Sequence, residues 1–275
     1  MSYKRDGMHP QCVRPGKRVR LAEFDPNRTG THRDEAAARA TLARDLERLT
    51  AFQDKLYAEH RRAVLIVLQG MDTAGKDGTI KHVMSGVNPS GIEVAPFKVP
   101  TQEEADHDFL WRAHRFAPRR GHVTIFNRSH YEDVLVPYVH RTVPRHVLRR
   151  RYDQINAFER ILIENDTLVL KFFLHIGEDE QRKRLRERLK DPTKQWKFSE
   201  ADVKERRLWP RYIKAYERLL THCSTPHAPW YIVPANHKWY RNLVVAEVLA
   251  DAGEALGCEY PKPALSRKQL KRVRL

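Results

Sequence analysis

The sequence predicts an α/β domain built on a central five-stranded parallel sheet flanked by helices. Three observations carry this. A short, continuous apolar run, Ala63-Val64-Leu65-Ile66-Val67-Leu68, reads as a strand buried on both faces. A glycine-rich segment follows it directly. Apolar runs then alternate with amphipathic stretches to the end of the chain, which is the pattern of strand–helix–strand units.

In order, residues 1–33 are polar and basic and read as an arm that wraps the domain or stays mobile. Asp34 is placed to cap a helix running to about Glu59, whose Leu42, Leu46, Leu49, Phe52 and Leu56 share one face. After the first strand, further strands are expected at Glu93–Val99, His122–Phe126, Leu168–Leu174 and Trp230–Val233. Helices are expected around Gly78–Ser85, Glu103–Phe116, Val143–Glu164, Glu178–Leu189, Ser199–His222 and Trp239–Leu256. No repeat or low-complexity linker interrupts this order, so residues 34–262 read as a single domain. Residues 263–275 read as a basic tail.

Composition narrows the partners. Fifty-one Lys and Arg against 35 Asp and Glu leave a net charge of +16, which calls for a polyanion. Nucleic acid is the usual first guess for so basic a chain, but no helix-turn-helix, finger or RNA-recognition pattern occurs. No apolar run is long enough to span a bilayer. The start of the chain has no apolar signal-peptide core, and Cys12, Cys223 and Cys258 form no disulfide or zinc pattern. A cytoplasmic protein is expected.

The first strand leads into Gly70-Met71-Asp72-Thr73-Ala74-Gly75-Lys76-Asp77-Gly78, followed by Thr79. Gly70 to Lys76 fits G-x-x-x-x-G-K, the Walker A phosphate-binding loop. Glycines let backbone N–H groups converge on phosphate oxygens, and the following helix points its positive end the same way. Lys76 adds a point charge. The usual Ser or Thr after the lysine is replaced by Asp77, a carboxylate able to serve Mg²⁺ directly or through water. Asp72 inside the loop would repel phosphate unless screened by a metal or a lysine, or used to handle a proton.

The strand 122–126 ends in Asn127-Arg128, with Glu132 and Asp133 a turn later, at the Walker B position of phosphate-loop kinases. Arg128 suits a bidentate phosphate contact, and Glu132 or Asp133 a metal or the acceptor. Residues 178–198 are lopsidedly basic and read as a lid. Arg184 and Arg188, four apart, would reach one chain of phosphates, with Lys194 and Lys197 beyond them. Two further basic groups, Arg112 with His114, Arg115, Arg119 and Arg120, and the run Arg141 to Arg151, either line a groove or are plain surface.

These blocks together resemble the polyphosphate kinase 2 family: the loop 70–78; Asp108-Phe109-Leu110-Trp111-Arg112; Phe126 to Val136; Trp196-Lys197-Phe198-Ser199; and His227-Ala228-Pro229-Trp230-Tyr231. The resemblance covers roughly residues 33 to 261. It implies a phosphate-loop kinase fold, similar to thymidylate kinase, with a helical lid. It implies transfer of a terminal phosphoryl group between inorganic polyphosphate and a nucleotide, with Mg²⁺ or Mn²⁺, in a homodimer or homotetramer. Glu132 looks like the class III members, which use both nucleoside mono- and diphosphates. Pro137-Tyr138 departs from the family pattern. Residues and resemblance together give expected roles. Asp72 orients the nucleotide's terminal phosphate, and Lys76 and the loop amides hold the transferred group. Asp72, Asp77 and Asp133 meet the metal. Arg128, Arg184 and Arg188 grip phosphates, and Arg112, His114 and Arg115 extend the polyphosphate track. An ATP-dependent nucleoside monophosphate kinase and a non-enzymatic nucleic-acid binder are the competing readings.

Overall fold

The computed structural model describes residues 11–266 and 269. Five strands, β1 (Ala63–Gly70), β2 (Ile92–Pro96), β3 (Val123–Asn127), β4 (Thr167–His175) and β5 (Trp230–Pro234), form one parallel sheet in the order β2-β3-β1-β4-β5. β1 is central and every residue in it is buried, which is why its sequence is uninterrupted by polar alternation. Successive units lie to one side of β1 (β2, β3) and then to the other (β4, β5). The chain order therefore switches at the carboxyl end of β1, where α/β sheets open a crevice for ligands.

The helices are α1 (Glu35–Glu59), α2 (Lys76–Val83), α3 (Gln102–Asp106), α4 (Trp111–Arg115), α5 (Glu132–His140), α6 (Arg145–Glu164), α7 (Glu178–Lys190), α8 (Glu200–Arg206), α9 (Trp209–Cys223) and α10 (Lys238–Leu256). α10 packs on α1 and α2, while α5, α6 and α9 pack on one another. Asp34 caps α1 as expected, its carboxylate accepting from the Ala37 N–H at 2.9 Å.

Several boundaries differ from the sequence reading, each for a local reason. β2 stops at Pro96, short of the expected Val99, which is 89% exposed. The expected helix 103–116 is two short helices, because the Asp108 carboxylate takes the Leu110 N–H at 2.9 Å and stops the intervening turn from continuing as helix. The expected helix 199–222 is also two, α8 and α9, with Pro210 in the first turn of α9. Pro137 sits inside α5 and has no N–H for the Asp133 carbonyl one turn back. That carbonyl is taken instead by the Arg151 guanidinium at 2.6 Å, so the proline is accommodated by a side chain from α6.

The described part of the arm packs closely on the domain. Val13 N–H donates to Trp230 O and Ile232 N–H to Gln11 O, both at 2.8 Å, so the arm runs antiparallel along the outer edge of β5. This covers an edge that would otherwise present unpaired backbone groups. Val13, Val19 and Leu21 are buried in the core.

Candidate active site

The loop 70–76 leaves β1 and turns into α2. Gly75 has φ 104°, and a Cβ there would come within 1.9 Å of the Arg241 guanidinium. Only glycine meets both conditions. At Gly70 a Cβ would press to 2.9 Å on the Leu174 carbonyl of β4. The Lys76 ammonium folds back over the loop, donating to Gly70 O at 2.7 Å and Met71 O at 3.4 Å. Burial lowers its pKa, against the opposing pull of Asp72. Thr73 has positive φ, and its hydroxyl is buried without a partner. Thr79 turns away from the loop's mouth, its hydroxyl donating to Gly75 O at 3.1 Å.

Arg128, the residue after β3, also has positive φ. Its side chain crosses to Asp72, Nη2 to Oδ1 3.1 Å, so the loop carboxylate faces an arginine, a partner the sequence reading did not name. Asp77 accepts from Asn127 Nδ2 at 2.8 Å and faces Lys197 Nζ at 3.4 Å. Burial acts to raise its pKa, but the Asn127 hydrogen bond and Lys197 outweigh this and hold it below the usual range. Glu132 lies beside Arg128 and Lys76. Burial dominates there and pushes its carboxyl above the ordinary range in spite of both cations.

Three expectations need correction. Asp133 does not join Asp72 and Asp77: its carboxylate pairs with Arg112 at 2.8 Å, and Arg112 is itself buried, donating also to Lys98 O. Arg112 therefore anchors α5 and does not line a phosphate track. Arg184 does not hang over the site on a lid. It is buried, its Nε on Glu180 at 2.8 Å, Nη1 on Thr73 O at 3.0 Å, and Nη2 on Ala235 O and Asn236 O at 2.8 and 2.7 Å. A guanidinium bound to five carbonyl and carboxylate oxygens of its own chain, the Ala74 carbonyl at 3.4 Å among them, fastens α7 to the underside of the loop. Among the described residues no three His, Cys, Asp or Glu converge.

Other expected residues stay near the surface. Arg188 reaches the Lys197 carbonyl at 3.2 Å and lies 3.6 Å from Asp202, so it ties the turn after α7 to α8. Lys194 pairs with Asp191 at 2.5 Å, and Lys197 adds a cation–π contact with the exposed Trp196. Arg115 stacks over Trp111, and His114 meets the edge of Phe158.

The fold adds residues that sequence reasoning missed. Arg241 of α10 lies under Gly75, donating to Ala74 O at 3.1 Å and to Asn242 Oδ1 at 2.9 Å, with no carboxylate partner among the described residues. Burial, with Arg184 nearby, lowers its pKa to about 10. Gln181 of α7 donates to Asp72 O at 3.2 Å and accepts from Arg206 of α8 at 2.6 Å, so one amide links α7, α8 and the loop. Tyr212 and Tyr216 of α9 close a small cavity of about 50 Å³ with Asp72, Arg128, Glu132 and Arg206. Tyr212 O–H donates to Glu205 at 2.6 Å. Beneath the 127–133 turn, Lys171 of β4 is fully buried and donates to Glu159 (2.5 Å), to the Tyr131 hydroxyl (3.1 Å) and to Cys223 O (2.6 Å), while Tyr131 O–H donates to Glu159 at 2.7 Å. Nothing in the local sequence marks these residues. Arg241 sits in an ordinary helical run, and Lys171 is one charge within a strand.

The arrangement is a glycine-rich strand-to-helix loop backed by buried cations, with an acid–arginine pair at its mouth. Similarity to known proteins agrees with it. The family model for polyphosphate kinase 2 matches residues 32–258. A protein of Meiothermus ruber named AMP/ADP-polyphosphate phosphotransferase is 50% identical over 262 residues, covering 94% of this chain and 97% of that one. An ADP-polyphosphate phosphotransferase of Rhodopseudomonas palustris is 42% identical over 269 residues, covering 94% and 93%. The crystal structure of polyphosphate kinase 2 from Arthrobacter aurescens superposes with a TM-score of 0.91 at 42% identity, covering 94% and 93%. With the fold, the loop and these relatives in agreement, the chain belongs to the polyphosphate kinase 2 family.

Proposed function

We propose that this enzyme moves the terminal phosphoryl group of inorganic polyphosphate reversibly onto AMP and ADP, and onto GMP and GDP by the same chemistry. The observation that carries this reading is the loop itself. Its Lys76 ammonium, unpartnered Thr73 hydroxyl and cationic underside from Arg184 and Arg241 suit a bound chain of phosphates. Relatives named for transfer between polyphosphate and AMP or ADP support the same substrates.

Phosphoryl transfer leaves a protein little covalent work: it aligns attacker and leaving group and neutralises developing charge. Loop amides and Lys76 would hold the transferred group, with the Lys76 ammonium leaving the Gly70 and Met71 carbonyls for phosphate oxygens. Arg128, within reach of both Asp72 and the loop, would neutralise the nucleotide's terminal phosphate and keep the Asp72 carboxylate from repelling it. Glu132, Tyr212 and Tyr216 border the small cavity where the nucleotide side of the site begins. A cavity of about 50 Å³ has room for a water or two, so α8 would move away from α7 to admit a nucleotide. The Gln181–Arg206 link is the contact that opens.

Mg²⁺ or Mn²⁺ would arrive with the phosphates, since Mg²⁺ typically binds through one or two carboxylates plus substrate oxygens and water. Asp72 and Asp77, both at the loop and both with solvent access, are the fitting ligands; Asp133, paired to Arg112, is not. The metal supplies charge neutralisation at the phosphoryl oxygens. We place the enzyme in the cytoplasm as a homodimer or homotetramer. Three free thiols suit a reducing compartment, and no helix among the described residues is long and apolar enough to cross a membrane.

The test is one incubation with Mg²⁺, polyphosphate and AMP or ADP, read for ADP and ATP. Lys76→Ala and Asp72→Asn should each lower turnover by about 10²-fold or more with folding unchanged. Product from ATP and AMP alone, with none from polyphosphate, would make this an ordinary nucleoside monophosphate kinase. Near-wild-type rates in both variants would remove the loop from the mechanism.

A further inference from the structure

Away from the loop, the outer face of α5, α6 and α9 gathers a group of basic side chains. Tyr138 and Arg141 stand at the end of α5, Arg145, His146 and Arg149 at the start of α6, and Arg211, Lys214 and Arg218 along α9. They border two adjoining grooves of about 600 and 430 Å³ that share Tyr138 and Arg145. No carboxylate lines either groove, and none lies within ion-pair distance of these cations among the described residues. The protein contacts of these guanidiniums are few and weak. Arg211 meets Val139 O at 3.5 Å, and Arg218 lies over the Tyr138 ring at 5.6 Å and beside the Tyr152 hydroxyl.

The backbone adds to the same field. α6 is 20 residues long, has Pro144 at its N-cap with no side-chain cap, and carries no acid in its first turn. Its positive end therefore opens into the groove with Arg145 and His146 beside it, charges that oppose the helix dipole. An anion in the groove would meet both. This face is the run Arg141 to Arg151 that the sequence leaves unassigned between groove and surface. Arg151 itself is used elsewhere, on Asp133 O.

We propose that this groove holds the distal part of a long polyphosphate chain whose reacting end lies at the loop after β1. The inference rests on the function proposed above. α5 joins the two places: it starts at Glu132 in the site and ends at His140 beside the groove, and nine residues of helix span about 13 Å. A long chain can cover that distance and a short oligophosphate cannot occupy both ends. The groove also lacks what single-stranded nucleic acid requires. Its aromatic rings are Tyr138, which lies under Arg218, and His146, and two rings make no ladder on which successive bases could stack.

The test uses the full-length triple variant Arg145→Gln, Arg149→Gln, Lys214→Gln, all exposed side chains with no catalytic role. Steady-state rates are measured with long-chain polyphosphate and with a short oligophosphate as donor, across a salt series. The KM for long chains should rise about tenfold, as expected from three exposed charge pairs. The slope of log KM against log salt should fall by about two, at roughly 0.7 for each phosphate that is no longer neutralised. kcat and the short-donor KM should stay at wild-type values. An equal KM rise for both donors, or no rise for either, overturns the proposal. So does a smaller assembly in sedimentation, which would make the face an interface between copies. Loss of RNA binding with the long-chain KM unchanged overturns it too. If the wild type transfers from neither donor, the proposed function fails instead, which is a distinct result.

Discussion

Replacing Lys171 by Met tests how the catalytic turn is held. Lys171 and Glu159 are both fully buried, and the ammonium also binds the Tyr131 hydroxyl and the Cys223 carbonyl. One group thus ties β4 to α6, to the start of α5 and to the end of α9. Burial alone would raise the Glu159 pKa, but Lys171 and His130 outweigh it and hold the carboxyl below its ordinary range. Lys171→Met removes one partner and leaves a buried carboxylate, which typically costs about 3–5 kcal/mol. At about 2–4 °C per kcal/mol for a chain of this size, Tm falls by about 6–20 °C. The double variant Lys171→Met/Glu159→Gln removes both charges and keeps an acceptor for the Tyr131 hydroxyl. It should recover all but the about 1–3 kcal/mol of the unpaired Cys223 carbonyl. Denaturant unfolding of the four proteins closes the cycle, and turnover is read on each. The single variant should also lose kcat more than KM, because Tyr131 precedes Glu132 directly. A single variant within about 1 kcal/mol of wild type, or a double variant less stable than the single, would refute the reasoning.

Two other predictions follow from charges near the loop. Glu132→Gln should lower turnover yet raise stability at neutral pH. With the folded pKa above the usual glutamate value, the native state holds the proton more tightly. Wild-type stability therefore declines as pH rises from the unfolded pKa through the folded one, and a pH series of unfolding midpoints should show this slope disappear in the variant. Arg241→Met should cut kcat by about 10- to 100-fold through a displaced loop, with Tm shifting by only a few degrees, because the guanidinium has no carboxylate to strand. A Tm loss as large as that of Lys171→Met would mean that Arg241 is chiefly structural.

Much of the fold is legible in the sequence because its signals are local. β1 announces itself by six uninterrupted apolar residues, and the loop by glycines at fixed spacing from Lys76. Boundaries fail where a side chain competes with the backbone, as at Asp108, or where a helix restarts at Pro210. The site divides in the same way. Asp72, Lys76, Asp77 and Arg128 belong to contiguous motifs and come together as expected. Arg184 reads as a lid cation because its neighbours in sequence are basic, yet its neighbours in space are carbonyls of the loop and of residues 235–236. Asp133 reads as a metal ligand because it stands near a strand end, yet Arg112, 21 positions away, claims it.

The sequence by itself therefore determined the kind of chemistry: a strand, a glycine loop, a lysine and a basic excess suited to phosphate. Tertiary structure alone decided which charges face the substrate and which hold the machinery. The reason is physical. A guanidinium or ammonium looks the same in sequence whether it meets water, phosphate or a buried carbonyl, and only packing assigns its partner. Arg241 stands 167 positions from the loop carbonyl it binds, and no pattern shorter than the whole fold connects them.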